Sequence, residues 1–438
     1  MNYDIAVIGA GPGGYTAAIR ASQLGKKVVL IEKDEIGGTC LNHGCIPTKT
    51  INYSTRLYSK LKKADQFGIS AWNISIDLGR IVDRKNRIVS QLRKGLDYLF
   101  KENKIDSIRS EAKLNGPHQI IAKDQTIEAP KIILATGSSI PQNPPFPIDE
   151  KKVFSSNGIL NLRTIPKTLA IIGAGAIGVE LASIFNELGS NVTLYEMLPR
   201  ILPGEDSEIS DALSKLFIKR GIEIKTSESL KNPDQYEAVL VCTGRTLNVE
   251  GFKEIGIKLE NGKVAVNEKM QTNIPSIYAV GDIAGKYMFA HTASREGIVA
   301  AENSAGKKAK IDYCAVPRCI YSDPGVASVG LTEEQAKEMF GSIIVGRFPF
   351  SASSKSLIED EREGFIKIIT CKAGKVLGLH ILGAHATELI GEATLAIQNE
   401  LKVEDIINTI HAHPTVYESI YEAAENVLKQ AISIINKD

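Results

Sequence analysis

Short apolar runs, read as strands, alternate along this chain with apolar-periodic stretches read as helices. The first run, Ile5–Ile8, leads into Gly9-Ala10-Gly11, with a third glycine at Gly14. An apolar-periodic helix, Leu24-Gly25 and a second strand ending at Glu32 follow. The pattern then repeats. Gly9 to Glu32 aligns without a gap on Gly173 to Glu196 at an offset of 164, with 10 of 24 positions identical. Gly173, Gly175, Gly178, Leu188-Gly189 and Glu196 are the second set of marks. The expected unit is strand, turn, helix, strand, present twice.

Each mark has a physical use. The first glycine permits a tight turn, the second lets backbone approach a pyrophosphate, and the third lets helix and strand pack closely. N–H groups at the helix start hold phosphate, and the terminal acid accepts bonds from a ribose. Both acids follow the third glycine by 18 residues, near the usual spacing of about 20. One such glycine turn is weak evidence, but two in this context point to two dinucleotide sites. The rival reading is a duplicated α/β domain that binds no nucleotide.

Two later runs read as strands that close these units: Lys131 to Gly137, carrying Thr136 and Gly137, and Ala238 to Gly244. Ile277 to Asp282 reads as a third, where Asp282 is suited to a ribityl or phosphate neighbour or simply completes a Gly-Asp turn. A first nucleotide domain is therefore expected over residues 1–147, completed by a return of the chain over 275–312, with a second over 148–274. From about Tyr313 the pattern changes to strands Phe365–Thr370 and Val376–Leu382 with helices Thr387–Asn399 and Val416–Ile435. Residues 313–438 read as a separate α+β domain, and Lys60–Arg93 as helix and surface. The fold class is α/β, two Rossmann-like domains plus this third one.

At 438 residues the chain has room for roughly three domains. Its 52 basic and 51 acidic residues leave a net charge of +1, so nucleic acid and membrane surfaces have no electrostatic hold on it. The uncharged stretch Ile132 to Ile148 contains four prolines and cannot span a bilayer as a helix. No signal-peptide pattern precedes Ile5, so the expected location is the cytoplasm. Six cysteines are too few for a secreted disulfide scaffold; any functional one is redox-active, catalytic or metal-binding.

Cys40 and Cys45, separated by Leu41-Asn42-His43-Gly44, follow closely on Glu32. Four intervening residues could close a small redox-active loop, with Gly44 relieving strain and Pro47 in the first turn of a helix. A helix N-terminus there favours the thiolate. Cys314 and Cys319 share the spacing but lie in an extended stretch with Pro317 between them, and read as structural, as do Cys242 and Cys371. Zinc is a weak reading because no second Cys/His pair has ligand spacing, and no metal is expected.

GAGPGG, GGTCLNHGCIPTK, the second GAGAIG, ATG, YAVGD and the C-terminal HAHPTVYE occur in this order along essentially the whole chain. Together they resemble the flavin-dependent pyridine nucleotide-disulfide oxidoreductases, most nearly those that oxidise protein-bound dihydrolipoamide with NAD. The resemblance implies FAD on the first unit (Gly9, Gly11, Gly14, Glu32, Asp282) and NAD on the second (Gly173, Gly175, Gly178, Glu196). It implies a redox pair in which Cys40 exchanges with substrate and Cys45 faces the flavin. Lys49 and Glu180 match the family's ion pair near the flavin. His413 and Glu418 match its acid/base dyad, contributed by the partner in a homodimer. The implied protein partner is a lipoyl domain of a 2-oxoacid dehydrogenase or glycine cleavage complex.

Two departures stand out. His43 replaces a small apolar residue and either alters thiol acidity or is an exposed bystander. The chain is also shorter than usual between Ile224 and Ala238. Glu196 should repel a 2′-phosphate, which favours NAD over NADP and argues against a glutathione-type reductase. A nonenzymatic nucleotide-binding subunit would not need Cys40, Cys45, Lys49, Glu180, His413 and Glu418 together.

Overall fold

The computed structural model describes residues 2–436; the limits drawn at Met1 and Asp438 lie outside them. Ile5–Ile8, four apolar residues in a row, is buried along its whole length. It pairs in parallel with Val28–Glu32 on one side and Lys131–Leu134 on the other. Asp106–Arg109 and Ile277–Ala279 add the outer strands, giving five in the order 277–279, 131–134, 5–8, 28–32, 106–109. Parallel neighbours need a crossover, and helix α1 (Pro12–Gln23) supplies the first one. After the second strand come α2 (Gly38–His43) and α3 (Cys45–Lys62), divided at Gly44. Then α4 (Leu78–Glu102) starts at Asp77, whose side chain accepts the Arg80 N–H at 3.0 Å.

The second repeat builds a second parallel sheet. Thr168–Ile172 is central, α5 (Ala176–Leu188) crosses to Asn191–Glu196, and α6 (Ser207–Lys219) crosses to Glu223–Thr226. The order is 223–226, 191–196, 168–172, 238–241, 153–155, the arrangement of the first sheet. They differ in where the fifth strand comes from: Val153–Ser155 precedes its repeat unit, whereas Ile277–Ala279 follows the other by the whole second sheet. Between Thr226 and Ala238 the described chain forms only a short turn of 3-10 helix, Pro233–Gln235. This stretch falls within Ile224 to Ala238, where the sequence reading expects the chain to be short.

Returning to the first layer, α7 (Ala290–Ser304) lies against α1. A Cβ on Gly297 would stand 2.3 Å from the Gly13 carbonyl oxygen, so the close approach depends on glycine. The last layer is an antiparallel sheet in the order 318–320, 325–330, 376–383, 365–371, 343–349. Helices Ala386–Gln398 and Glu418–Val427 pack on it through Leu389, Ala393, Ile420 and Ala423. α8 (Glu333–Phe340), started by a Thr332–Gln335 capping box, flanks it. These three layers are the α/β class expected from the repeat. One expectation fails: the helix expected over Val416–Ile435 spans only Glu418–Val427. Lys429 turns the chain at φ +58°, and the Glu422 carboxylate takes the Ile432 and Ser433 N–H groups, folding the tail back. No helix of the described residues is long and apolar enough to cross a membrane.

Candidate active site

The two glycine turns are near copies. Gly9 and Gly173 both sit at φ +99°. A Cβ on Gly14 would lie 1.8 Å from the Gly9 carbonyl oxygen, and one on Gly178 1.9 Å from that of Gly173, so each third glycine lets its helix start against the strand. At the second glycine the turn opens outward: a Cβ on Gly11 meets only Gly38 Cα at 3.9 Å, and one on Gly175 meets nothing within 4 Å. Neither α1 nor α5 has a side-chain cap or an acid in its first turn. An open cradle beneath uncapped N–H groups suits a pyrophosphate.

The acids repeat as closely. Glu32 Oε2 accepts the Ala10 N–H at 2.7 Å and Oε1 the Asp34 N–H at 2.9 Å. Glu196 Oε2 accepts the Ala174 N–H at 2.8 Å and Oε1 the Leu198 N–H at 3.0 Å. The duplication therefore holds bond for bond. Each carboxylate is aimed at its own glycine turn and keeps acceptor capacity for a ribose hydroxyl.

The closing strands bring further groups to the first turn. Thr136 Oγ1 donates to the Asn248 carbonyl at 2.6 Å, and Asn248 Nδ2 returns a bond to the Thr136 carbonyl at 2.8 Å. Gly137 and Gly244 turn the chain at φ +65° and +89°. Asp282 accepts the Ser138 hydroxyl. Arg245 joins this group: its Nε donates to Ser138 Oγ and its Nη2 to the Ser138 carbonyl, both at 2.7 Å. Burial pulls its pKa down. Arg245 was not found from the sequence, although it follows Gly244 directly, because only folding brings it to Ser138.

Cys45 opens the 18-residue helix α3, whereas Cys40 lies inside α2. A Cβ on Gly44 would crowd the Thr39 carbonyl oxygen at 3.1 Å, so the bend between the helices favours glycine. The two thiols hydrogen-bond to each other, which raises the Cys40 pKa, with burial adding to the rise. The same bond lowers that of Cys45 to about 7; burial opposes the shift and the Lys49 ammonium assists it. The neighbouring thiol and the Lys49 charge thus favour the thiolate at Cys45 over Cys40. Lys49 Nζ donates to Glu180 Oε1 at 2.9 Å and Oε2 at 2.8 Å. Glu180, only 5% exposed, belongs to α5, so the pair ties the cysteine helix to the second glycine turn.

The other cysteines have different settings. The Cys314 thiol bonds to Asp312 and Gln398, and burial pushes Cys319 up to about 11. Burial also raises Cys242. His43, 42% exposed, stands 4.0 Å from Asp34.

His413 and Glu418 meet at 2.8 Å, and the second Glu418 oxygen accepts the Thr415 N–H at 2.9 Å. Burial works against the Glu418 carboxylate, yet the Thr415 and His413 bonds hold its pKa below the usual value. His413 is 72% exposed, with no cysteine among its hydrogen-bond partners in the described residues. His411, by contrast, is 8% exposed and held by Glu392 and the Thr409 carbonyl. The histidine of the dyad is therefore exposed, and its geometry is set by Glu418 and not by a cysteine of its own chain.

Residues 3–297 match the family described as pyridine nucleotide-disulphide oxidoreductase, and residues 316–424 match its dimerisation domain. The chain is 42% identical over 446 residues to the dihydrolipoyl dehydrogenase of Chlamydia muridarum, covering 96% of both proteins. It is 41% identical to the enzyme of that name from Thermus scotoductus over 460 residues, covering 99% of both. Among solved structures, the HOCl-induced flavoprotein disulfide reductase RclA from Escherichia coli superposes with a TM-score of 0.87 at 28% identity, over 97% of this chain and 99% of that one. With both family regions matched and relatives similar along their whole length, the chain belongs to the pyridine nucleotide-disulphide oxidoreductase family.

Proposed function

We propose that this chain oxidises protein-bound dihydrolipoamide to lipoamide with reduction of NAD, the dihydrolipoyl dehydrogenase reaction named in its relatives. The position of Cys45 carries the reading: it opens α3 one turn ahead of Lys49, whose ammonium is gripped by a carboxylate from the second nucleotide helix. On this reading residues 1–147 and 275–312 bind FAD, 148–274 bind NAD, and 313–438 form the dimer contact. Gly9, Gly11 and Gly14 receive the FAD pyrophosphate, Glu32 its adenosine ribose and Asp282 its ribityl side. Thr136, Gly137 and Lys49 line the same site. Gly173, Gly175, Gly178, Glu196 and Gly244 serve NAD. Bound FAD supplies a two-electron carrier between thiol and nicotinamide.

The chain's own residues handle the thiol chemistry. One substrate sulfur, giving its proton to His413 of the partner subunit, attacks Cys40 Sγ. The disulfide that Cys40 and Cys45 form in the oxidised protein breaks, and Cys45 leaves as the thiolate that Lys49 favours. The second substrate sulfur then attacks the one bound to Cys40, which closes the substrate's disulfide. Cys40 departs with the proton held by His413, and His413 takes the proton of the second thiol. Two electrons now rest on the cysteine pair. Glu418 at Nδ1 orients the ring and leaves Nε2 free for these transfers.

The lipoyl domain of a cytoplasmic 2-oxoacid dehydrogenase or glycine cleavage complex is the proposed partner. On purified protein, dihydrolipoamide should reduce NAD faster than glutathione disulfide oxidises NADH or NADPH. The reverse order would assign a glutathione-type reductase. Neither reaction, with flavin bound, would leave a nucleotide-binding subunit.

A further inference from the structure

We infer that Tyr321 is a positioning residue of the redox centre, an aromatic seat that holds the Lys49 ammonium in place beside Cys45. The Lys49 Nζ lies 4.4 Å from the centroid of the Tyr321 ring, within the ~6 Å at which a ring face attracts a cation. Backbone bonds fix the ring from two sides. The Tyr321 N–H donates to Glu180 Oε1 at 2.9 Å, the same oxygen that binds Lys49. Its carbonyl accepts Asn52 Nδ2 at 2.8 Å, and Asn52 lies on α3 three residues beyond Lys49. Two residues on, the Asp323 N–H donates to Ser183 Oγ at 3.0 Å, so the segment is anchored again to α5.

A lysine held by one carboxylate can pivot about it. A ring face set at a second direction stops the pivot, and the charge then stays where Cys45 feels it. Burial pushes the Tyr321 pKa up to about 12, so the phenol remains neutral and does not compete with Glu180 as a second anion. Each part comes from a different layer: Lys49 from the cysteine helix, Glu180 from the second nucleotide unit, and Tyr321 from the chain just after the strand Arg318–Ile320 of the antiparallel sheet.

The inference rests on the reading that Cys45 and Lys49 face bound flavin, and its test separates the two. In FAD-loaded protein under limited reduction, the long-wavelength band of the Cys45 thiolate against flavin is titrated with pH. Tyr321→Phe should keep the wild-type midpoint, because the ring face and not the hydroxyl makes the contact. Mono-, di- and trifluorinated phenylalanines at position 321 keep the shape and progressively weaken the ring's negative face. The midpoint should rise along that series, and Tyr321→Leu should raise it by on the order of one pH unit. In a Lys49→Met background Tyr321→Leu should add nothing. FAD content and thermal unfolding verify that each variant is folded, and the fluorinated series stands if the leucine variant is not. A flat fluorination series, or an equal shift in the Lys49→Met background, would overturn the role of Tyr321. Absence of the band from wild-type, flavin-loaded protein would instead overturn the underlying reading of Cys45.

Discussion

Lys367 and Asp206 meet at 2.7 Å with both side chains only 1% exposed. Lys367 belongs to the antiparallel sheet, and Asp206 caps α6 of the second parallel sheet's layer. Glu208 at 3.0 Å and Glu333 at 2.8 Å complete the ring around the ammonium, and Arg347 bridges the same two acids. Burial opposes the Lys367 charge, yet its carboxylates raise its pKa overall.

Removing Lys367 leaves the buried Asp206 carboxylate without a cationic partner among the described residues, while Glu208 and Glu333 keep Arg347. Lys367→Met should lower stability by about 3–5 kcal/mol, read as a fall in the denaturant midpoint. Pairing it with Asp206→Asn should cost less than the sum of the single changes. Additive losses would mean that the two side chains are not coupled.

The duplicated glycine turns should fail separately. Gly14→Ala places a methyl 1.8 Å from a carbonyl oxygen and should yield protein without flavin. Gly178→Ala, with its 1.9 Å clash, should keep FAD while raising the KM for NAD more than that for dihydrolipoamide. Flavin content and steady-state kinetics distinguish the outcomes; flavin loss from Gly178→Ala would contradict the assignment of the two sites.

Glu196 should set the choice of dinucleotide. Wild-type protein should favour NAD over NADP at equal concentration, and Glu196→Ala should narrow the gap by lifting repulsion of the 2′-phosphate. An unchanged ratio would show that another residue reads the ribose.

His413→Gln should lower turnover roughly 10² to 10⁴-fold, as expected for a lost acid/base. On the proposed shared site, a heterodimer of one Cys40→Ser chain and one His413→Gln chain would contain one intact site and one doubly defective site. Differently tagged chains, purified as that heterodimer, should regain about half the wild-type activity per dimer if the proposed shared site holds. A fully active monomer would contradict the shared site.

Glu187 predicts a pH trend in stability. Both of its carboxylate oxygens are buried without a hydrogen-bond partner among the described residues. Burial, with Asp323 adding and Arg220 opposing, pushes its pKa up to about 8 from an ordinary 4.5. The folded state therefore holds a proton that the unfolded chain releases. Its contribution to stability is fully present below pH 4.5 and is lost as pH rises toward 8. Glu187→Gln should flatten that decline in pH-dependent denaturation, and an unchanged slope would assign the decline elsewhere.

What could be read from the sequence was local. Both glycine turns, Glu32 and Glu196 announce themselves by spacing because each works within a single strand-turn-helix unit. Cys40 and Cys45 needed their surroundings as well, since Cys314 and Cys319 share their spacing. Glu180 was reached through family resemblance alone, for it lies 131 residues from Lys49. Arg245 and Tyr321 carried no signal, because the partners that give them meaning arrive from other layers. The last helix was overextended because apolar spacing continues past Val427, whereas the backbone reverses at Lys429.

The strand Ile277–Ala279 lies at one edge of the sheet that Ile5–Ile8 begins. During synthesis that edge cannot be filled until the entire second sheet has left the ribosome. The repeat unit holding Gly173 has all five of its strands between Val153 and Val241, so it can close first. Although encoded second, the sheet built between Val153 and Val241 is therefore in a position to mature first. The N-terminal glycine turn must wait with an open sheet edge, and a chaperone or an early cofactor would have its greatest influence in that interval.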